Sequence, residues 1–130
     1  MFLSANPYNL DCPSREVLDL IGGKWAVLIL CCLQGGPLRT GRLMRSIGGI
    51  SPKMLTQTLR NLESNGFVER ISHPEVPPRV EYLLTPLGKS LSARVRAIEQ
   101  WVVANYPKIL AHRARGVERR RVRRRSSVKP

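Results

Sequence analysis

Four polar side chains between residues 51 and 65 have the types and the spacing needed to hydrogen-bond with nucleic acid. In an α-helix their separations of one, three and four residues place them on one side. Arginine can bind guanine, and glutamine can bind adenine, through paired hydrogen bonds in the DNA major groove. The four residues are Lys53, Thr56, Gln57 and Arg60. The alternative is an ordinary solvated helix face, and the elements around it favour DNA contact.

The helix that would carry these residues has clear boundary signals. Ser51 is a favourable N-cap, Pro52 suits the first helical position, and Gly66 is typical of the position just after a helix. The sequence therefore predicts a helix that ends near Asn65. Its predicted buried stripe, on the side away from the four polar residues, is Leu55, Leu59 and Leu62.

Further basic residues are candidates for contact with the sugar-phosphate backbone. Arg79 follows Pro77 and Pro78 in a stiff segment between two predicted strands, where it can reach a minor groove or a phosphate. The alternative for Arg79 is an ion pair with Glu75 or Glu81. The remaining candidates for phosphate contact are Lys24, Arg39 and Arg42.

Cys12 is a candidate for redox or electrophile sensing, because it precedes a predicted helix that starts near Pro13. A helix N-terminus lowers the pKa of a thiol, and the thiolate is the reactive form. The alternative is a small residue that simply fits the helix start. Cys31 and Cys32 fall in a predicted core helix and are expected to be inert. An odd number of cysteines argues against a disulfide framework.

Metal and catalytic sites are not predicted. His73 and His112 lie far apart and have no cysteine at zinc-finger spacing. The chain shows no glycine-rich phosphate loop, no paired carboxylates in an apolar setting and no convergent Ser, His and Asp set. The glycine pairs at 22–23, 35–36 and 48–49 are better explained as helix breaks. We expect a protein that is not an enzyme and that needs no cofactor.

The order of elements predicts the fold class, which is mainly α with a small β-hairpin. Three helices followed by a hairpin form a winged helix-turn-helix domain, and additional N- and C-terminal helices are expected to mediate dimerisation. The predicted helices span about residues 13–21, 24–33, 39–46, 51–65 and 87–106, and the predicted strands span 67–72 and 80–84.

The positive charge is unevenly distributed along the chain. Its 22 basic and 9 acidic residues give a net charge of +13, which favours a polyanionic partner, nucleic acid before an anionic membrane surface. Residues 113–130 carry +8 of this charge, and residues 1–112 carry +5. We expect a flexible N-terminal arm (1–10), one DNA-binding and dimerisation domain (11–112) and a disordered Arg-rich tail (113–130).

Hydropathy predicts a soluble protein with no membrane partner. No apolar run approaches the ~20 residues that span a bilayer, and residues 1–10 lack the features of a secretion signal. The expected location is the cytoplasm, in association with the nucleoid.

Three sequence strings together resemble the HxlR-type family of winged-helix regulators. They are IGGKW (residues 21–25), GISPKML (49–55) and PEVPPRVEY (74–82). Each string alone is weakly specific, but their combination, order and separation are highly specific. Cys12-Pro13 and Leu84-Thr85-Pro86-Leu87-Gly88 extend the resemblance to about three quarters of the chain. Thr40 and Arg42 depart from the pattern, which has an aromatic residue and an acid there.

The resemblance implies a homodimeric, bacterial-type transcription regulator that binds double-stranded DNA. It also implies dimerisation through the N- and C-terminal helices, and sensing by some relatives through a cysteine that matches Cys12. A two-fold dimer would read a roughly palindromic operator. The candidate interface residues are Leu18, Leu91, Val95, Ile98, Trp101 and Val102. The alternative is that these side chains cover the core of their own domain.

A second class of function is a protein that coats nucleic acid without sequence preference through its Arg-rich tail. Deletion of residues 113–130 distinguishes the two, because operator preference should survive in a regulator and binding should collapse in a coating protein. The sequence identifies neither the operator nor a small-molecule effector.

Overall fold

A computed structural model describes residues 4–127. The first three residues of the predicted arm and the last three of the predicted tail lie outside this range. The helices are α1 (Ser14–Gly22), α2 (Lys24–Cys32), α3 (Thr40–Ser46), α4 (Pro52–Ser64) and α5 (Pro86–Ser127), and the strands are β1 (Leu38–Arg39), β2 (Val68–His73) and β3 (Arg79–Leu84). The chain forms two compact units, one up to Arg96 and one from Ala97 onward. The predicted winged helix-turn-helix plan is confirmed.

Helix α2 is the centre of the core in the first unit. Its sequence is apolar on nearly every side, so it has no face that prefers water. Ile29 and Leu30 are completely buried, and Leu43 of α3 is buried with them. Val95, in the first turns of α5, belongs to the same cluster. Helices α3 and α4 are therefore held against one apolar centre.

The sheet has three strands rather than the two that the alternating pattern predicted. The strand order is β1-β3-β2, and both pairs are antiparallel. Strand β1 contains only two residues, so it is too short to show any alternation in sequence. It pairs Arg39 with Glu81 of β3, which places the start of α3 beside the β2–β3 hairpin, or wing.

Helix α5 starts in close contact with the end of α4. The Thr85 hydroxyl accepts a hydrogen bond from the Gly88 N–H at 3.0 Å and donates one to the Gly66 carbonyl. A Cβ atom at Gly88 would lie 1.8 Å from the Phe67 carbonyl oxygen, so only glycine fits there. Gln34 also binds this part of α5, donating to the Ser92 carbonyl at 2.7 Å.

Helix α5 continues to Ser127, well beyond the predicted end at residue 106. Pro107 lies inside the helix and does not end it. The described part of the predicted tail, residues 113–127, belongs to this helix in the structure, and its disorder in solution stays a prediction. That expectation came from the lack of apolar residues to bury. Arginine, alanine and glutamate nevertheless have high intrinsic helix propensity.

Candidate nucleic-acid interface

Helix α4 presents a polar surface opposite its buried stripe. Leu55, Leu59 and Leu62 are at most 2% exposed, as the sequence predicted. Five exposed polar residues, together with Pro52, line a depression of about 610 Å³ on the other side, and none of them is acidic. We call these five residues the α4 face: Lys53, Thr56, Gln57, Arg60 and Asn61. The structure thus brings the four predicted base-contacting residues together and adds Asn61.

Both ends of α4 are fixed by specific hydrogen bonds. The Ser51 hydroxyl accepts a bond from the Met54 N–H at 3.1 Å, which is the predicted N-cap. At the other end, Gly66 has φ of 80° and its N–H donates to the Glu63 carbonyl. The Phe67 N–H donates to the Leu62 carbonyl, which completes a Schellman motif. Capping and burial together hold the α4 face in one orientation.

A second basic surface lies between α3 and the wing. It is a concavity of about 620 Å³ whose cationic side chains come from α3, from β1 directly before it and from the wing. We call it the basic cleft, and its cations are Arg39, Arg42, Arg45 and Arg79. Arg45 was absent from the predicted site. Its spacing of three residues from Arg42 on a short helix was the available signal.

Arg79 lies in the basic cleft within a small ionic network. Its Nη2 atom is 3.3 Å from Glu75 Oε1, and its Nε atom is 3.2 Å from Glu81 Oε1. His73 Nε2 is also 3.2 Å from Glu81 Oε1. The ion pair that the sequence offered as the alternative for Arg79 is therefore formed. Two carboxylates offset much of the charge of Arg79, whereas Arg42 and Arg45 of α3 form no ion pair within residues 4–127.

Lys24 occupies a different environment from the other predicted DNA contacts. Its ammonium group lies 4.5 Å from the centroid of the Trp25 ring, a cation–π contact. It does not line the α4 face or the basic cleft. Trp25 itself packs against the core, as the sequence favoured.

Cys12 lies two residues before α1, in a turn that is rich in hydrogen bonds. Its Sγ atom is 3.1 Å from the Ser14 hydroxyl oxygen and accepts a bond from the Asn6 N–H at 3.4 Å. These bonds, the Ser14 side chain first, lower the pKa of the Cys12 thiol below its ordinary value. A larger fraction of this thiol is therefore ionised near neutral pH.

The predicted interface residues differ in exposure. In the first unit, Val95 is only 1% exposed and Leu91 packs partly buried against the core, so both fill the core of their own chain. Leu18 is 55% exposed. In the second unit the exposed apolar residues include Ile98, Trp101 and Val102.

A sequence profile described as HxlR-like helix-turn-helix matches residues 20–110. The chain belongs to the HxlR-like family. Its relatives include the HTH-type transcriptional regulator YtfH of Escherichia coli, which is 50% identical over 108 residues. That alignment covers 83% of this chain and 86% of YtfH.

Solved structures of other regulators share this fold. The putative transcriptional regulator ytfH from Salmonella typhimurium superposes with a TM-score of 0.82 at 48% identity, over 85% of this chain and 99% of that one. The redox regulator HypR in its reduced form gives a TM-score of 0.70 at 35% identity, over 76% of this chain and 98% of HypR. This HxlR-like chain is accordingly a helix-turn-helix transcription regulator. Within residues 4–127 we find no helix whose length and apolar character would let it cross a membrane.

Proposed function

We propose that this regulator binds a specific sequence of double-stranded DNA by inserting α4 into the major groove. The observation that carries the proposal is the α4 face, because its long donors are exposed and its helix is fixed from behind by three buried leucines. Gln57 and Arg60 are the residues proposed to read adenine and guanine. Lys53, Thr56 and Asn61 are proposed to contact neighbouring bases and phosphates.

The basic cleft supports the proposal, because its four arginines form a cationic surface suited to phosphate. Arg42 and Arg45 are exposed on α3, the helix that precedes the recognition helix, and Arg39 is exposed at the end of β1, directly before α3. Contacts to phosphate fix the register of a protein on DNA without reading sequence. Arg79 is proposed mainly to hold the wing in shape, because Glu75 and Glu81 already bind its guanidinium. Lys24 keeps only the role of a peripheral phosphate contact.

We further propose a homodimer on a roughly palindromic operator. One winged helix reads few bases, and two half-sites about 34 Å apart, or a multiple of that distance, match a two-fold dimer. Each unit exposes apolar side chains whose burial in an interface would be favourable. They include Leu18, Ile98, Trp101 and Val102. Leu91 and Val95 are left out of this proposed interface because they pack in their own core.

The test is a selection from random duplex DNA with a chain that ends at residue 112. Recovery of a two-fold symmetric motif is expected, and failure to enrich any motif would refute sequence-specific binding. The selected motif is then measured with Gln57→Ala plus Arg60→Ala. Specific binding should fall far more than binding to scrambled DNA. The matched control is Arg94→Ala plus Gln100→Ala, which removes the same residue types from α5.

Control of DNA binding by oxidants or electrophiles is a second part of the proposal. The lowered pKa of Cys12 favours it, and so does the likeness to HypR, whose reduced and oxidised forms have both been solved. Treatment with diamide should change operator affinity of the full chain, and Cys12→Ser should abolish that response. A response that persists in Cys12→Ser would remove Cys12 from the mechanism.

The coating protein remains the competing function because of the arginines after residue 112. It predicts that truncation at residue 112 eliminates binding to every duplex, whereas the regulator keeps its preferred motif. The same selection therefore separates the two functions.

A further inference from the structure

The C-terminal part of α5 is a basic helix that lies beyond the family profile. Residues 113–125, here called the basic extension, contain eight arginines and one acid, Glu118. The family profile ends at residue 110. The Salmonella protein aligns over 99% of its own length and still leaves part of this chain unmatched. The basic extension therefore lies outside the part of the chain that the family profile matches.

Helical geometry gives the basic extension two unequal sides. With about 3.6 residues per turn, residues four apart stand nearly above one another. The more basic half is Arg113, Arg115, Arg119, Arg120, Arg123 and Arg124, and the opposite half is Ala114, Val117, Glu118, Arg121, Val122 and Arg125. All of these side chains are exposed.

Two arginines of the basic half use little of their hydrogen-bonding capacity within the helix. Arg115 Nη2 lies 3.1 Å from His112 Nδ1, and Arg120 Nε donates to the Gly116 carbonyl at 3.3 Å. A guanidinium has five N–H donors, so each keeps several for an external acceptor. Arg119 and Arg123 also repel each other at a separation of four residues. An anionic partner would supply acceptors and remove that repulsion.

We propose that the basic extension binds the phosphates of duplex DNA, with its basic half against the backbone. The inference rests on the proposed function, because a domain that binds duplex DNA brings that polyanion close to the extension. The extension is about 20 Å long, and a DNA strand carries one phosphate every ~3.4 Å of that length. A helix of this length can therefore contact several phosphates. Membrane is disfavoured because Val117 and Val122 are its only large apolar residues.

Two matched double variants of the full chain test the orientation of the extension. Arg119→Gln with Arg123→Gln removes a pair from the basic half, and Arg121→Gln with Arg125→Gln removes an equally spaced pair from the other half. Glutamine keeps a helix propensity close to that of arginine. Affinity for a generic duplex is measured from about 50 to about 200 mM salt.

The basic-half variant should reduce the slope of log K against log salt by about 2, which corresponds to about tenfold in affinity over that salt range. The other pair should change the slope by less than half as much. Equal reductions would refute an oriented surface, and no reduction in either variant would refute phosphate contact. Tighter binding to single-stranded RNA than to duplex DNA of equal length would also overturn the proposal. Failure of the truncated chain to select a motif refutes only the proposed function, because these variants are measured on any duplex.

Discussion

Helix α4 and the basic extension are both exposed, basic helical surfaces, yet they differ in what lies behind the charge. Helix α4 has Leu55, Leu59 and Leu62 in the core and capping bonds at both ends. No residue of the basic extension is buried. Base recognition requires donors at fixed positions, whereas attraction to phosphate requires only charge near the backbone. In the proposed function, this difference is why α4 supplies specificity and the basic extension supplies salt-dependent affinity.

The largest expected effect comes from removing the support of α4. Leu59→Ala leaves a cavity at a residue that is 1% exposed, so the free energy of unfolding should fall by about 2–5 kcal/mol. Val117→Ala in the basic extension should change it by less than about 0.5 kcal/mol, since Val117 is 51% exposed. Urea unfolding of the full chain measures both. Equal losses would mean that the extension is packed as tightly as α4.

Arg60→Ala should specifically reduce base discrimination. We expect the preference for the selected motif over a variant with one changed base pair to fall by about 1–3 kcal/mol, because one bidentate contact is lost. The comparison is Arg123→Ala in the basic extension, which should weaken binding to both duplexes equally. Competition binding with the two duplexes provides the readout. Loss of discrimination in Arg123→Ala would contradict the division of roles.

Ser51→Ala tests the fixed start of α4. Loss of the hydrogen bond to the Met54 N–H should lower the free energy of unfolding by about 1 kcal/mol. The comparison variant is Ser126→Ala, which removes a hydroxyl near the C-terminal end of α5 that donates to the Arg123 carbonyl. Its effect should be less than half as large, because no buried packing depends on it. Thermal unfolding measures both variants. A larger loss of stability in Ser126→Ala than in Ser51→Ala would contradict the prediction.

The smallest effect is expected at Cys12, which lies outside both helical surfaces. Ser14→Ala removes the main cause of the lowered pKa, so the thiol pKa should rise toward its ordinary value. Alkylation of Cys12 by iodoacetamide, followed by mass spectrometry, should become slower at neutral pH, and its pH midpoint should move upward. Ser46→Ala serves as the control. An unchanged midpoint in Ser14→Ala would show that this bond does not control the thiol.

The parts of the fold that could be predicted from sequence are those set by local chemistry. Ser51, Pro52 and Gly66 predicted the ends of α4, and the spacing of its leucines predicted the buried side. The pairing of β1 with β3 could not be predicted, because a two-residue strand shows no alternation and its partner is about 40 residues away. The length of α5 was underestimated, because its end was predicted from the loss of apolar residues and not from the high helix propensity of the arginines that follow.

In the candidate site too, the features set by local spacing were predicted and those set by tertiary contacts were not. The α4 face follows from helical spacing, so four of its five members were identified. The ion pairs of Arg79 depend on how the wing folds, so the sequence could only offer them as one of two alternatives. The convergence of Arg45 with Arg79 depends on the contact between α3 and the wing. Val95 was assigned to an interface because the sequence does not show which apolar residues the core can hold.

The division of roles is tested most directly by comparing the full chain with the chain that ends at residue 112 on two duplexes, the selected motif and a scrambled version. We predict that truncation weakens binding to both duplexes by the same factor and reduces the salt dependence, while the ratio of the two affinities is preserved. A ratio that falls toward one after truncation would show that specificity depends on the basic extension, and would contradict the assignment of base reading to α4.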